Sequence, residues 1–316
     1  MSLVSIIIPN FNRVHLLEET LDSIKAQTHK DWECIIVDDG STDSSEDIIR
    51  NYTSLDSRFQ FHRRPDNYLK GGNSCRNYGF QLAKGEFINW FDSDDLMAPS
   101  KLEENLMAFK NNPMIQVCIC QASYFEGKPV NIIRTTEVQS DTIFEDFVLK
   151  KVPISCQVPL WRTSFLKDKT LFNPETQRGQ EYEVYSHLLY EVKERYLCLH
   201  KPLVNIRMHE ESITRDYNRG DDAKVRSYLK VFRGVLRQIQ ELNKPGLIKD
   251  FTVIYRHEIL VALRSKSYVI AKEELAYLYQ NMINKPHYWS RLRSKVAVTL
   301  IELTRGKLYY RLKKFI

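Results

Sequence analysis

The chain has 316 residues, of which 43% are hydrophobic and 27% are charged, and its mean hydropathy is −0.41. This composition is typical of a folded globular protein and excludes disordered and fibrous classes. No apolar run approaches the eighteen or so residues that a membrane-spanning helix needs, and the N-terminus lacks the basic lead-in and cleavage site of a signal peptide. We therefore expect a cytoplasmic protein, either free or peripheral on the inner face of the membrane.

The formal net charge of +6 is divided unequally along the chain. Residues 221–316 hold 20 Lys and Arg against 8 Asp and Glu, whereas residues 1–220 hold 26 against 32. Composition, charge and hydrophobic periodicity all change near residue 220. The change predicts two domains, residues 1–220 and a basic helical domain of residues 221–316.

Strand and helix patterns alternate over the first 120 residues. Short apolar runs predict strands at Val4–Ile8, Cys34–Val37, Arg58–His62, Phe87–Phe91 and Ile115–Cys120. Pro9 is expected to end the first strand because it has no N–H to donate. Apolar residues at helical spacing predict helices between the strands, one of them over Ser74–Ala83. The alternation predicts an α/β fold with a Rossmann-like, mostly parallel sheet and helices on both faces.

The rest of the chain is mainly helical. A helix is predicted over Glu181–Val192. Beyond residue 220 two apolar stripes predict further helices, one with Leu229, Phe232, Val235 or Leu236, Ile239 and Leu242, the other with Leu275, Leu278, Tyr279 and Met282. The six cysteines are scattered and lack CxxC zinc spacing, so we expect buried apolar side chains rather than metal ligands.

Three predicted strands end in polar loops, which are the candidate ligand-binding segments. They are Pro9-Asn10-Phe11-Asn12-Arg13, Val37-Asp38-Asp39-Gly40-Ser41-Thr42-Asp43 and Phe91-Asp92-Ser93-Asp94-Asp95. Each loop alone fits a turn or a helix cap, but ligands bind beyond the carboxyl ends of strands in such sheets. Paired carboxylates there repel one another unless a cation or hydrogen-bond donors compensate them. The chain has neither a Walker lysine loop nor GxGxxG, which disfavours P-loop NTPases and dinucleotide dehydrogenases. What remains is a nucleoside diphosphate held through a divalent metal and carboxylates.

Four segments, SIIIPNFNR, IIVDDGSTD, KGGNSCRNYG and INWFDSDD, resemble in order and spacing the inverting family 2 glycosyltransferases with the GT-A fold. The resemblance spans residues 3–215. It implies a metal-dependent transfer, with Mn²⁺ or Mg²⁺, from a nucleoside-diphosphate sugar, foremost a UDP-sugar, to a hydroxyl of a glycan or lipid-linked acceptor.

The resemblance also implies roles for individual residues. Pro9, Asn12 and Asp39 would line the nucleotide pocket, with Asp39 accepting from the base. Lys70, Gly72 and Arg76 would lie against the nucleotide, Asp92, Ser93 and Asp94 would form the DxD motif, and Asp94, Asp95 and His209 would lie at the metal. Arg76 also fits a helix cap or an ion pair with Asp43.

Family members carry an acidic pair at the start of a later helix, and its second carboxylate deprotonates the acceptor hydroxyl. The corresponding stretch here is Arg178-Gly179-Gln180-Glu181-Tyr182-Glu183, so Gln180 and Glu181 replace the usual Glu and Asp. The resemblance therefore implies Glu181 as the base of a single, inverting displacement, with Glu183 as the alternative. A glutamate that only favours the helix dipole also fits. The QxxRW motif of processive members is absent, which indicates transfer of a single sugar.

Residues 285–316 hold nine Lys and Arg, one acid, interleaved aromatic residues and an apolar stripe at Leu300, Leu303 and Leu308. This pattern is typical of a helix on an anionic membrane surface, and equally of a packing helix. Nucleic-acid binding is disfavoured because no recognised module is present. Two alternatives to an active transferase stay open: a nucleotide-sugar-binding scaffold that lost catalysis at Gln180-Glu181 and, more distantly, a nucleotidyltransferase.

Overall fold

A computed structural model describes residues 2–208, 221–281 and 288–316, with the backbone alone for residues 288–290. The chain divides into two compact units. The first comprises Met1–Glu175 and Val184–His209, and the second comprises Thr176–Glu183 and Glu210–Ile316. The predicted domain boundary at residue 220 lies outside the described residues and stays a prediction.

The first unit is built on one sheet. Its strands in the described residues are β1 (Val4–Asn10), β2 (Trp32–Asp38), β3 (Phe59–Arg63), β4 (Phe87–Trp90), β5 (Leu96–Met97), β6 (Val117–Phe125), β7 (Ile132–Thr135), β8 (Pro159–Arg162) and β9 (Tyr196–Arg207). They lie in the order β3-β2-β1-β4-β8-β6-β9-β5, with β7 paired to β6. β3, β2, β1 and β4 are parallel. Beyond β4 the sheet is mixed, because β8 runs antiparallel to both β4 and β6.

Helices connect the parallel strands. The chain up to residue 208 contains α1 (Leu17–Lys25), α2 (Ser45–Leu55), α3 (Gly72–Leu82), α4 (Lys101–Asn111), α5 (Ile143–Val148), α6 (Thr163–Leu166) and α7 (Gln180–Val192). The predicted α/β class is confirmed. The predicted parallel arrangement holds for β1 to β4 and for the β6–β9 pair, whereas the short strand β8 enters the sheet in the opposite direction.

β1 continues through Pro9 to Asn10, so the prediction that Pro9 ends the strand is wrong. Asn10 O accepts from Asp39 N at 2.8 Å on the β2 side, whereas Ile7 O accepts from Phe91 N at 2.9 Å on the β4 side. Because the backbone groups of successive residues point to opposite sides of a strand, the nitrogen of Pro9 faces β4. The β1–β4 pairing has already ended there, so the missing N–H disrupts no ladder bond.

The central strands are buried on both faces. Ile6, Ile7 and Ile8 in β1 and residues 35–37 in β2 have no exposed surface, which explains why these strands are continuous apolar runs rather than alternating ones. α3 lies close against β1, since a Cβ added to Gly79 would be 2.4 Å from Ile7 Cγ2. Glycine permits this close approach of helix and sheet.

The second unit is helical in its described residues beyond 220. Its elements are α8 (Asp222–Glu241), α9 (Pro245–Arg264), α10 (Tyr268–Asn281), α11 (Tyr288–Leu303), α12 (Tyr309–Leu312) and a 3₁₀ turn at Lys313–Phe315. The predicted stripe of α8 is buried from Leu229 to Ile239, and Leu275, Leu278 and Tyr279 are buried in α10. Both predicted helices are confirmed, and Met282 lies outside the described residues.

The C-terminal segment departs from one predicted stripe. α11 ends at Leu303, and Gly306 adopts a φ of +87° before the next helix begins. Leu308 is therefore separated by a turn from Leu300 and Leu303, and the stripe that the sequence predicts is split. Among the described residues, no helix is both long enough and apolar enough to cross a membrane.

The cysteines behave as apolar side chains. All six are free, and all except the half-buried Cys198 are buried. Burial raises the pKa of the thiols of Cys75 and Cys118 to about 12. Buried, uncharged thiols of this kind are inert, and the expected burial is confirmed for five of the six cysteines.

Candidate active site

The carboxyl ends of β2, β1 and β4 are neighbours in the sheet, so the three predicted polar loops meet at one edge. Arg13 Nε, after β1, donates to Asp94 Oδ2, after β4, at 3.3 Å. Asn12 Oδ1 accepts from Thr42 N, after β2, at 2.8 Å. The loop after β1 thus contacts both of the others, and the structure brings the three together.

The loop after β2 is organised by a buried carboxylate. Asp38 is 2% exposed and accepts from Asn10 Nδ2 at 2.8 Å, from Gly40 N at 3.0 Å and from Ser41 N at 2.8 Å. Donors on several sides compensate the buried charge. Gly40 has a φ of +86°, a conformation that favours glycine and turns the chain around this carboxylate.

Asp39, the residue predicted to accept from a nucleobase, is paired with an arginine that the sequence did not indicate. Arg64 Nε lies 2.5 Å from Asp39 Oδ1, and the same guanidinium donates to the carbonyl oxygens of Pro65 and Tyr68. Arg64 therefore ties Asp39 to the segment that leads into α3. Recognition of a base by Asp39 stays a prediction.

Residues 91–95 form the acidic loop after β4, and Asp92 is held there from two sides. Arg76 Nη2, from α3, donates to Asp92 Oδ1 at 2.7 Å, and Gln157 Nε2 donates to Asp92 Oδ2 at 2.8 Å. Asp43, the ion-pair partner considered for Arg76, accepts instead from the backbone nitrogens of Val14 and Ser45. The pair of Arg76 with Asp92 joins two segments that the sequence assigned to donor binding.

Asp95 is the most buried carboxylate of the acidic loop, with 3% exposure. It accepts from Arg207 N at 2.8 Å and from Gln157 Nε2. Burial first, and then the charges of Asp94 and Asp92, raise the pKa of Asp95 well above its ordinary value. Arg207 Nε also donates to Asp94 O at 3.1 Å. Arg207 and Gln157 thus order the loop, although neither lies in a recognisable motif.

The start of α3 adds basic and backbone donors at the same edge. A Cβ on Gly72 would lie 3.2 Å from Arg76 Nη1 and 3.8 Å from Pro9 Cβ, so the first turn packs closely on the loop after β1. Lys70 is exposed, with its Nζ 4.5 Å from the ring centroid of Phe11. A helix N-terminus with nearby cations favours a bound anion such as a phosphate. Ser93, the remaining predicted contact, is buried in the acidic loop.

The acidic loop has the chemistry of a divalent-cation site. Asp92, Asp94 and Asp95 offer hard carboxylate oxygens, which Mg²⁺ and Mn²⁺ prefer. Across residues 2–208, 221–281 and 288–316, no three His, Cys, Asp or Glu side chains form a complete metal site. A cation that completes its shell with substrate phosphates needs only one or two protein carboxylates. Asp94 and Asp95 stay the predicted ligands, and His209 lies outside the described residues.

The predicted base belongs to the second unit. α7 begins at Gln180, so Glu181 and Glu183 both lie in its first turn, and Glu181 is half-buried. Thr176 Oγ1 donates to Glu183 Oε2 at 2.6 Å. This bond ties Glu183 to the segment that precedes the helix.

The sequence profile described as "Glycosyl transferase family 2" matches residues 5–164, about half of the chain. The match contains the three strand-end loops and α3. The chain belongs to glycosyltransferase family 2. The family predicted from the four segments is thereby confirmed, and this family 2 glycosyltransferase is an enzyme of the transferase class.

Relatives and solved structures agree with the assignment. The glycosyltransferase is 26% identical to the GalNAc(5)-diNAcBac-PP-undecaprenol beta-1,3-glucosyltransferase of Campylobacter jejuni over 311 residues, 96% of each chain. It is 32% identical to the UDP-Glc:alpha-D-GlcNAc-diphosphoundecaprenol beta-1,3-glucosyltransferase WfgD of Escherichia coli over 54% of this chain and 62% of that protein. The structure of S. aureus TarS 1–349 in complex with UDP-GlcNAc matches with a TM-score of 0.71 at 17% identity, over 98% of this chain and 90% of that one. The likeness confirms the GT-A fold.

Proposed function

We propose that this enzyme transfers one sugar from a nucleoside-diphosphate sugar, foremost a UDP-sugar, to a hydroxyl of a lipid-linked glycan, with inversion at the anomeric carbon. The observation that carries the proposal is the meeting of the acidic loop, the loops after β1 and β2, and the start of α3 at one edge of the sheet. The undecaprenol-linked acceptors in the names of the two relatives support the acceptor class.

In this proposal, three sets of residues bind the donor. Pro9, Asn12 and Asp39 line the nucleoside side. Lys70, Gly72 and Arg76 face the diphosphate, because they combine cations with the N-terminus of α3, which favours anions. Asp92 and Ser93 take part from the acidic loop, where the Arg76–Asp92 bond already orients the carboxylate.

Asp94 and Asp95 are the proposed ligands of a divalent cation, with His209 as a third. A bound Mn²⁺ or Mg²⁺ would neutralise charge that develops on the leaving diphosphate. The residues themselves supply hard oxygen ligands in a loop whose conformation is held by hydrogen bonds from Arg13 and Arg207.

Glu181 is the proposed base. It takes the proton of the acceptor hydroxyl as that oxygen bonds to the anomeric carbon and the bond to the nucleoside diphosphate breaks on the opposite face, which inverts the centre. Glu183 is the poorer choice because it already accepts a hydrogen bond from Thr176. We expect Glu181→Gln to abolish transfer with donor binding retained, and Glu183→Gln to retain transfer. Full activity of Glu181→Gln would remove this assignment.

A thermal-shift screen tests the donor class. Wild-type protein is melted with UDP-, GDP- and dTDP-sugars, each with Mn²⁺ or with EDTA, and the best donor is then incubated with a polyprenyl-diphosphate-linked sugar. We expect metal-dependent stabilisation by one nucleotide class and release of the matching nucleoside diphosphate. Stabilisation by none of them refutes the donor assignment, whereas binding without turnover on any acceptor favours the scaffold alternative.

We also propose that α11 rests on an anionic membrane surface. One side of this helix is packed, with Ala297, Val298 and Ile301 buried. The opposite side exposes an apolar face, formed by Leu292, Val296, Leu300 and Leu303 at 36%, 49%, 38% and 73% exposure. Exposed Arg293 and Lys295 flank this face, and the acid of the segment, Glu302, is paired with Lys272. An apolar face with basic flanks is complementary to an anionic bilayer.

Vesicle sedimentation tests this surface. We expect the wild type to pellet with phosphatidylglycerol vesicles and not with phosphatidylcholine vesicles, and the double variant Leu300→Glu/Leu303→Glu to stay in solution. Val253→Glu is the matched control, because Val253 is 64% exposed on α9 of the same unit and lies outside the apolar face. Equal pelleting of the double variant and the wild type contradicts the proposal.

A further inference from the structure

The segment before β8 places one buried amide between two carboxylates of the acidic loop. Gln157 is 3% exposed, and its Nε2 donates to Asp92 Oδ2 at 2.8 Å and to Asp95 Oδ2. Both hydrogens of a single NH₂ group are thus committed, one to Asp92 and one to Asp95. We propose that Gln157 is a positioning residue of the donor site, which sets the separation and orientation of Asp92 and Asp95 before the donor binds.

The backbone of Gln157 is itself held by buried polar groups. Asn89 Nδ2, in β4, donates to Gln157 O at 3.1 Å and to Pro159 O at 2.9 Å. Lys101 Nζ donates to Asn89 Oδ1 at 3.1 Å, and neither Lys101 nor Asn89 has exposed surface. Burying an ammonium and two amides is costly, and apolar side chains of similar volume often give equal stability. A role in holding the conformation of the acidic loop explains why this buried hydrogen-bond network from Lys101 through Asn89 to Gln157 is present.

The orientation of the Gln157 amide also supports a positioning role. Gln157 Oε1 finds no hydrogen-bond partner in the part of the chain that the structure describes. A buried acceptor without a partner is destabilising. Turning the amide by half a rotation would place this oxygen against the two carboxylates, which repel it. In the orientation that the amide adopts, its hydrogen bonds to Asp92 and Asp95 are kept while its own carbonyl oxygen stays without a partner.

The role is tested with Gln157→Leu, Gln157→Glu and the control Gln27→Leu. Gln27 is equally buried and bonds to the backbone at Ser23 O, Ala98 O and Leu102 N rather than to carboxylates. The probe is UDP with Mn²⁺, measured by titration calorimetry. We expect Gln157→Leu to weaken UDP binding by about 10–100-fold, the usual effect of removing a partner that orients metal-ligating carboxylates. Gln27→Leu should lower the melting temperature and leave UDP affinity unchanged.

Gln157→Glu separates positioning from packing. It has the shape of glutamine but places a third carboxylate beside Asp92 and Asp95, so UDP binding in EDTA should fall further than in Gln157→Leu, and added Mn²⁺ should recover part of the difference. A purely structural role would not make the two variants differ in their dependence on metal. Wild-type affinity in Gln157→Leu, or equal losses in Gln157→Leu and Gln27→Leu, overturns the proposal.

The proposal rests on the proposed function only through its choice of donor. If the wild type binds no UDP, the donor class is wrong. The role of Gln157 is then tested by a double-mutant cycle of melting temperatures measured without ligand. Gln157→Leu, Asp95→Asn and the double variant are melted in EDTA. Non-additive shifts are expected for residues that share a hydrogen bond, and additive shifts overturn the positioning role.

Discussion

The contact between α3 and β1 supplies a prediction whose sign the structure decides. Gly79→Ala adds a methyl group that would lie 2.4 Å from Ile7 Cγ2 and 3.4 Å from Val37 Cγ2. Carbon atoms pack best about 3.5–4.0 Å apart, so helix and strand must separate by about 1 Å. The Cγ2 atom of Ile7 cannot rotate away easily, because β-branched side chains are stiff at χ1.

Two effects of opposite sign set the magnitude. Replacing glycine by alanine inside a helix stabilises it by about 1 kcal/mol. Overpacking a filled core typically costs about 1–3 kcal/mol, and this contact is severe enough to place it at the upper end. We therefore expect Gly79→Ala to lower the free energy of unfolding by about 2 kcal/mol, which lowers the melting temperature by about 4–8 °C in a unit of this size. Arg76 lies on the same helix one turn earlier, so donor binding should weaken as well.

Thermal melts followed by circular dichroism, and then donor titration, measure both effects. Gly234→Ala is the control, because Gly234 lies in α8 with nothing within 4 Å of an added Cβ, so it should stabilise by about 0.5–1 kcal/mol. Adding Ile7→Leu to Gly79→Ala removes the opposing Cγ2 and should recover part of the loss. A melting temperature of Gly79→Ala at or above that of the wild type would refute the close approach. A lower melting temperature with unchanged donor affinity would refute the link to Arg76.

Three further predictions concern single groups. Asp95→Asn in EDTA should raise the melting temperature, because it removes a carboxyl group whose ionisation is opposed by burial and by the charges of Asp94 and Asp92. It should also reduce the metal-dependent stabilisation by donor. A lower melting temperature in EDTA contradicts this. Burial lowers the pKa of Lys101 in the folded state below its unfolded value. The free-energy cost of burying this side chain therefore falls as the pH rises towards the unfolded pKa, and the stability of the wild type relative to Lys101→Met should increase between pH 7 and 10. A stability difference that does not change with pH would contradict this. Gly179→Ala should reduce stability more than Gly127→Ala does, since both have positive φ but only Gly179 would place a Cβ against Tyr228, at 2.7 Å; equal losses would discount that contact.

The residues that could be predicted share one property: their signal is local. β1 and β2 are buried on both faces, so each is a continuous apolar run followed directly by its functional loop. The position of such loops follows from the parallel arrangement alone, since neighbouring strands of this kind end at the same edge. The acidic loop after β4 is predicted for this reason, whereas the start of α3 is predicted from the family resemblance.

The residues that could not be predicted act over long sequence separations. Gln157 and Arg207 lie 62 and 112 residues beyond Asp95, and they reach it only because β8 and β9 return to the sheet beside β4 and β6. β8 has four residues, and β9 is half exposed along much of its length, so neither gives a strong periodic signal. A single polar residue in a weakly patterned segment carries no motif, and only the tertiary structure reveals its partner.

The acidic loop also leads to a prediction about coupling between the binding of metal and the binding of donor. Within the described residues, Asp92 is compensated by Arg76 and Asp94 by Arg13, so the protein already supplies positive charge that the sequence assigned to a metal. A diphosphate that binds at this edge competes for the guanidinium groups of Arg76 and Arg13. The negative charges of Asp92 and Asp94 are then only partly neutralised. A divalent cation that arrives with the donor restores the neutralisation. We therefore expect Mn²⁺ and UDP to bind with positive coupling, each raising the affinity of the other by the same factor. Calorimetric titration of Mn²⁺ with and without UDP measures that factor, and equal Mn²⁺ affinities in the two titrations would show that the arginines do not release the carboxylates.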